Sequence, residues 1–251
     1  MSWVGPGLML AFLGGILALC GFDDWKTRKR FRKTRTQTII DAPGDGVVRI
    51  HGKVCPGEEG VVHVPLLERE AVWYCLTVSE RVKSGKSSTW RERIRKTDER
   101  VFLVDDGSGP PAVVQPHAGK AVVDKQTIAS CGFGNDPSLE FDTFLIENGM
   151  KSTGIIGFNK TLRCEVQYIA PDDMVHVLGP SRRAGQAFGG FYRTNSSPLV
   201  LSIDEQTKEP LHFSNKTEAQ LTGISWLFLV GMVVLLLGML TLAAECATLV
   251  G

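Results

Sequence analysis

The chain has 251 residues, 43% of them hydrophobic, and its 28 basic and 27 acidic side chains leave a net charge of +1. That balance excludes the composition of a disordered chain and gives no electrostatic footprint for a nucleic-acid partner. The length suffices for one domain with a substantial core or for two small lobes.

The hydrophobicity is concentrated at the two ends. No side chain before Asp23 is charged, and residues 3–22 form a twenty-residue apolar run. As a helix it is about 30 Å long, the thickness of a bilayer's hydrocarbon core. No basic n-region precedes it and no small-x-small cleavage site stands out, which argues against a cleaved signal peptide. The second run covers residues 223–244: nothing between Glu218 and Glu245 is charged, and Trp226 lies near its start, where an interfacial aromatic belongs. The pattern predicts a transmembrane helix at each end of a central domain, residues 37–218.

Between the first helix and that domain, residues 23–36 form a basic juxtamembrane segment. Lys26, Arg28, Lys29, Arg30, Arg32, Lys33 and Arg35 place seven cations in ten positions. Lys/Arg bias beside a helix end sets orientation. The expectation is a two-pass membrane protein whose central domain faces the cytoplasm, with both termini on the opposite side. The same seven side chains are candidate contacts for anionic lipid, each contributing about 1 kcal/mol near the surface.

The central domain reads as β-rich. Short apolar runs at residues 47–51, 60–64 and 71–78 are separated by Gly and Pro. Ser84-Gly85-Lys86-Ser87-Ser88 forms a hairpin tip, and a strongly basic stretch, residues 89–100, returns into residues 101–104. Asp105 to Gly109 reads as a turn and residues 112–115 as a strand. This succession suggests a small barrel or curled sheet, OB-like or SH3-like. One helix follows, with Asp136 as cap, Pro137 in the first position, Gly149 at the exit, and Leu139, Phe141, Phe144 and Leu145 on its buried side. In residues 161–169, Leu162, Cys164, Val166 and Tyr168 alternate with Arg163, Glu165 and Gln167, the pattern of a half-buried strand. The fold class expected is membrane-anchored α+β: a β-rich domain of two small barrel-like or curled-sheet lobes between two transmembrane helices. A weak internal echo links residues 45–52 (DGVVRIHG) with residues 172–179 (DDMVHVLG).

Chemical motifs are sparse. Cys20, Cys55, Cys75, Cys131, Cys164 and Cys246 form no C-x-x-C pair, and no histidine stands at ligand spacing from one of them. Buried structural thiols are expected, with a Cys55–Cys75 disulfide as an open alternative. His51, His63, His117, His176 and His212 fit no metalloprotease spacing, and neither a nucleophile elbow nor a P-loop is present. Gly132, Gly134, Gly189 and Gly190 read as loop glycines, and Asp105-Asp106 and Asp172-Asp173 as turn formers. The expectation is no catalytic residue, no metal ligand and no cofactor. Sequons at Asn159, Asn195 and Asn215 carry no information in a cytoplasmic domain. Trp73, Tyr74 and Trp90 are either core aromatics or the wall of a ligand groove.

Several stretches resemble one family in order. They are residues 50–54 (IHGKV), Pro65-Leu66, residues 71–74 (AVWY), Trp90, residues 101–109 (VFLVDDGSG), Cys164-Glu165 and residues 170–179 (APDDMVHVLG), followed by the second membrane helix. The sequence is similar to the GIDE family, also called the BAM ("beside a membrane") domain, of the MAPL/MULAN-type mitochondrial ubiquitin ligases and their plant and prokaryotic relatives. The likeness covers about residues 37–245. In the eukaryotic ligases a zinc-binding RING finger follows the second helix. Here only Cys246 to Gly251 follow Glu245, so the resemblance does not carry over ligase activity, and a RING-less, prokaryotic-type form is expected. The resulting expectation is a membrane-anchored binding or scaffold module that senses or organises a lipid or an unknown protein partner at the surface. The alternative is a component of a ubiquitin-ligase-like system whose RING lies on another chain.

Overall fold

The computed structural model describes residues 4–153, 159–183, 198–203 and 209–250. Trp3, Gly189, Gly190 and the Asn195 sequon lie outside the described residues. In chain order the elements are α1 (Val4–Lys33), β1 (Asp45–Pro56), β2 (Val62–Val64), β3 (Arg69–Ala71), β4 (Trp73–Ser84), β5 (Ser87–Glu99), β6 (Phe102–Asp105), β7 (Ala112–Val114), β8 (Lys120–Ala121), β9 (Gln126–Cys131), α2 (Leu139–Glu147), β10 (Leu162–Ile169), β11 (Met174–Arg183), β12 (Leu199–Leu201), β13 (His212–Ser214), α3 (Glu218–Thr222) and α4 (Trp226–Val250). They fall into two units, one made of Met1–Arg35 with Thr217–Gly251 and the other of Thr36–Lys216.

The central unit is built on a closed five-stranded barrel, β1-β6-β7-β12-β11, sealed by a long β1–β11 pairing. Counted along the chain its staves run 1-2-3-5-4 around the ring, and the β7–β12 pair is the parallel one. This is the connectivity of an OB-type Greek-key barrel, one of the two shapes suggested by the strand spacing. Alternation along β1 sends Val48, Ile50 and Val54 inward, where they meet Phe102, Val104, Val175, Val177, Leu199, Leu201 and Phe213. Gly52 has a steric reason: a Cβ there would lie 2.5 Å from the Asp105 carbonyl oxygen, so only glycine lets β1 cross this closely over β6.

The second lobe is a four-stranded antiparallel sheet, β5-β4-β10-β9, with the β2–β3 hairpin in a sheet of its own. One face of this sheet packs on α2 and the hairpin, burying Val62, Val64, Leu76, Val78, Phe141, Phe144, Leu145, Leu162, Cys164 and Val166. β4 serves both cores. Trp73 and Cys75 belong to the barrel cluster, whereas Tyr74, Leu76 and Val78 point the other way into the second. The lobes are therefore interleaved rather than consecutive, with β4 and β5 lying between barrel strands β1 and β6 in the chain, and β9, α2 and β10 between β7 and β11.

Three local expectations are corrected. The cap of α2 is Ser138, whose Oγ accepts from the Phe141 N–H at 3.3 Å; Asp136 instead accepts from the Asn159 side-chain amide at 2.5 Å. Leu139 is 84% exposed, because it stands two positions before Phe141 and so on the far side of the helix from Phe141, Phe144 and Leu145. Cys55 and Cys75 are free thiols, as are Cys20, Cys131 and Cys164. The exit glycine is as expected, Gly149 adopting φ +73°. The echoed segments are neighbours in one barrel, β1 against β11 with His51 opposite His176, and not equivalent strands of two lobes.

Asp106 ties the entry segment to the barrel. Its carboxylate accepts from the Ile39 N–H at 2.7 Å and from the Ser108 N–H and Oγ at 2.9 and 2.6 Å. Burial pushes this carboxyl up, but the hydrogen bonds outweigh it and hold the group below its ordinary range. Asp106→Ala is expected to cost about 1–2 kcal/mol, charge-assisted bonds discounted for partial exposure. A carboxyl depressed in the folded state adds stability above its unfolded pKa of about 4 and loses it as pH falls through the lower folded value. Urea unfolding at neutral pH should show the deficit, and the variant and parent should converge as pH falls through the lowered pKa of the folded carboxyl. An equal deficit at both pH values would place the effect in packing instead.

Candidate functional site

Two features stand out from the rest of the molecule: the helix pair of the first unit and the polar face of the four-stranded sheet. α1 and α4 run antiparallel along a seam of small residues. A Cβ on Gly14 would collide with the Leu235 backbone, on Gly21 with Phe228, on Gly231 with Ala18 and on Gly238 with Ala11. The seam on α1 is thus Gly7, Ala11, Gly14, Ala18 and Gly21, spaced alternately four and three apart, the heptad rhythm of left-handed helix packing. Gly14 and Ala18 lie in it. Gly15 does not, since a Cβ there meets nothing within 4 Å.

Large apolar side chains cover the outside of the pair. Leu19 is 77% exposed, Met9 73%, Phe12 71% and Leu240 66%. A water-soluble helix pair places such residues in its seam; here the seam is small and the bulk faces outward. Both helices are long and apolar enough to cross a membrane. Where the apolar stretch of α1 ends, Trp25 stacks on Phe228 of α4 at 4.8 Å and on Phe22 at 5.6 Å.

Beyond Trp25 the basic residues continue in the same helix, which ends only at Lys33. They divide by role. Arg28 donates to the Gln220 carbonyl at 2.5 Å and pairs with Asp24 at 2.8 Å, while Arg32 donates to the carbonyls of Thr222 and Gly223 at 2.9 and 3.1 Å. These two guanidinium groups satisfy the C-terminal carbonyls of α3, where the helix dipole is negative. Lys29 rests over the Trp25 ring at 4.7 Å. Lys26, Lys29, Lys33 and Arg35 are exposed and Arg30 is half-buried. Lys26, Lys29, Arg30 and Lys33 share one helical face.

The three aromatics proposed for a groove do not converge. Trp73 is buried in the barrel core and Tyr74, next to it on the strand, in the other core. Trp90 on β5 is 43% exposed and carries the Arg163 guanidinium 4.5 Å from its ring centroid. Adjacent residues of a strand face opposite sides, which rules out Trp73 and Tyr74 as one wall. The face bearing Trp90 is polar. Arg95 pairs with Glu92 at 2.7 Å and approaches the Cys75 sulfur at 3.6 Å, and Glu165 lies 3.4 Å from Arg163 and 3.9 Å from Lys125.

A buried basic cluster escaped sequence reasoning. Arg49 and His176, both almost fully buried, lie on the outer side of the barrel wall, with Arg49 Nη2 3.4 Å from His176 Nδ1. His51 stacks on His176 at 4.2 Å. A guanidinium only donates, so a hydrogen bond along this contact requires His176 Nδ1 to be the acceptor. The echo held the signal: Arg49 and His176 occupy the same place in the two segments, which pair antiparallel and make the two diagonal neighbours. Burial pushes the Cys164 thiol up to about 12 and raises that of Cys131, so both are inert packing groups. Among the described residues no group of three or more His, Cys, Asp or Glu side chains is placed to hold a metal ion.

The architecture defines a class, an OB-type barrel with an interleaved sheet lobe joined to an apolar two-helix pair. Compared with known proteins, the chain matches no family model, no curated protein and no solved structure.

Proposed function

We propose that the chain is a non-enzymatic binding module held at a bilayer by α1 and α4 as a transmembrane hairpin, with the β-rich unit displayed at the membrane surface to organise a lipid or protein partner. The observation that carries this reading is the inverted helix pair, with small residues inside and Leu19, Met9, Phe12 and Leu240 outside. In water that surface would be a large exposed apolar patch, whereas in lipid it is the side facing the acyl chains. Trp25 and Trp226 then lie at the interfacial level, and Lys26, Lys29, Lys33 and Arg35 at anionic headgroups. Arg28 and Arg32, engaged with α3, contribute less to lipid. The GIDE/BAM resemblance supports the same architecture. The positive flank favours a cytoplasmic β-rich unit with both termini opposite.

The chain is expected to resist alkaline carbonate extraction. A reporter active only in the cytoplasm should work within residues 84–88, and one active only outside should work at Gly251. Release by carbonate would reject the anchor. An outside-only reporter active at Ser87 would reverse the orientation.

A further inference from the structure

The outer end of the β4–β5 hairpin stands clear of its sheet. β4 pairs with β10 only as far as Glu80, opposite Leu162. Arg81 still donates its N–H to the Thr161 carbonyl at 2.9 Å; beyond it, residues 82–84 and 87–89 pair with each other alone, closed by Gly85 at φ +59°. Residues 81–91 carry Arg81, Lys83, Lys86 and Arg91 and no acid. The acids on either side are already engaged, Glu80 with Arg93 and Glu92 with Arg95, each at 2.7 Å. Trp90 lies opposite Arg81 and under the Arg163 guanidinium, 43% exposed.

A two-stranded ribbon with no layer behind it gains little stability of its own. Charges on open strand edges prevent pairing with other chains, but that purpose needs neither a single sign nor an exposed tryptophan. An amphipathic ring flanked by long cationic side chains suits a membrane–water interface, with the indole at headgroup level and the cations on anionic lipid.

We propose that this arm is a docking surface for an anionic bilayer, in which Arg81 and Lys83, on the face of Trp90, and Lys86 at the tip engage lipid phosphates and carboxylates and Trp90 seats at headgroup level. It rests on the membrane reading above only in requiring a bilayer as partner; the binding chemistry belongs to the arm. A single-stranded nucleic acid offers the same phosphates and is an outcome of the test.

The test uses hydrogen exchange on the full chain in nanodiscs of phosphatidylcholine, alone or doped with phosphatidylserine, and on phosphatidylcholine discs titrated with doped vesicles. Amides of residues 81–91 should exchange about tenfold more slowly in at least one doped arrangement, and high salt should abolish the protection. The variant Arg81→Gln/Lys83→Gln/Lys86→Gln should need about a hundredfold more anionic lipid for the same protection. Unchanged arm amides in both arrangements would overturn the proposal. So would protection by oligothymidylate at concentrations where anionic lipid gives none, which would assign the arm to nucleic acid. The α1 and α4 amides report the anchor separately. A chain that never enters discs refutes the anchor alone, and titrating it with doped vesicles still decides the arm.

Discussion

Leucine in place of Gly231 is expected to drive α1 and α4 apart. A side chain at this position must occupy the space of the Ala18 backbone, which cannot move aside as a flexible side chain could. Overpacking of this kind costs about 1–3 kcal/mol, enough to lower the ratio of closed to open pairs roughly five- to 150-fold. Gly7 and Thr241 supply the reporter. A Cβ on Gly7 would lie 2.8 Å from the Thr241 hydroxyl, so Gly7→Cys/Thr241→Cys places two thiols within disulfide reach. In a background without Cys20 the parent should oxidise to an intramolecular disulfide, and Gly231→Leu should suppress it. Gly15→Leu is the control, because nothing lies within 4 Å of its Cβ. Equal suppression by Gly15→Leu would show that the seam runs along a different face.

That contrast shows what the sequence can reveal and what it cannot. Uncharged runs of twenty or more residues announce the helices because their signal is length and composition. The packing face is harder to read, since Ala11-x-x-x-Gly15 and Gly14-x-x-x-Ala18 look equivalent as spacings and only the partner helix separates them. Strands β1, β4, β7 and β10 are visible as apolar runs, and β10 also through its clean alternation. Their assignment to two interleaved lobes is not, because pairing between Trp73 and Ile169 joins residues far apart in the chain. The three-residue strands β12 and β13 are too short for any periodic signal, although each is fully buried. Among the site residues, the basic cluster is plain in the sequence, but the diversion of Arg28 and Arg32 to the carbonyls of α3 depends on a tertiary approach. Trp73, Tyr74 and Trp90 look alike as aromatics; strand parity separates the first two, and position at the outer end of the sheet exposes the third.

Phe213→Ala is expected to be the most destabilising change in the β-rich unit. The side chain is fully buried in the barrel and meets Trp73 edge-on at 5.4 Å and Phe102 at 6.3 Å, both at 75°. Its surroundings are tight, since a Cβ on Gly119 would lie 2.8 Å from the Phe213 ring, so the walls have little freedom to close over a void. Truncation of such a phenylalanine costs about 3–5 kcal/mol, whereas Leu139→Ala at the exposed start of α2 should stay within about 0.5 kcal/mol. The damage should also spread. Trp73, which packs on Phe213, begins the strand that carries Leu76 and Val78 into the other core, and β10 connects Ile169 in the barrel to Leu162, Cys164 and Val166 beyond it. The two lobes share this wall and should therefore melt together. Hydrogen exchange of the full chain can follow amides of β1 and β11 for the barrel and of α2 for the second lobe. Phe213→Ala should lower the protection of both sets in parallel, and Phe141→Ala should do the same from the other side. Loss of protection confined to the barrel, with α2 unchanged, would show that the shared strands do not couple the lobes.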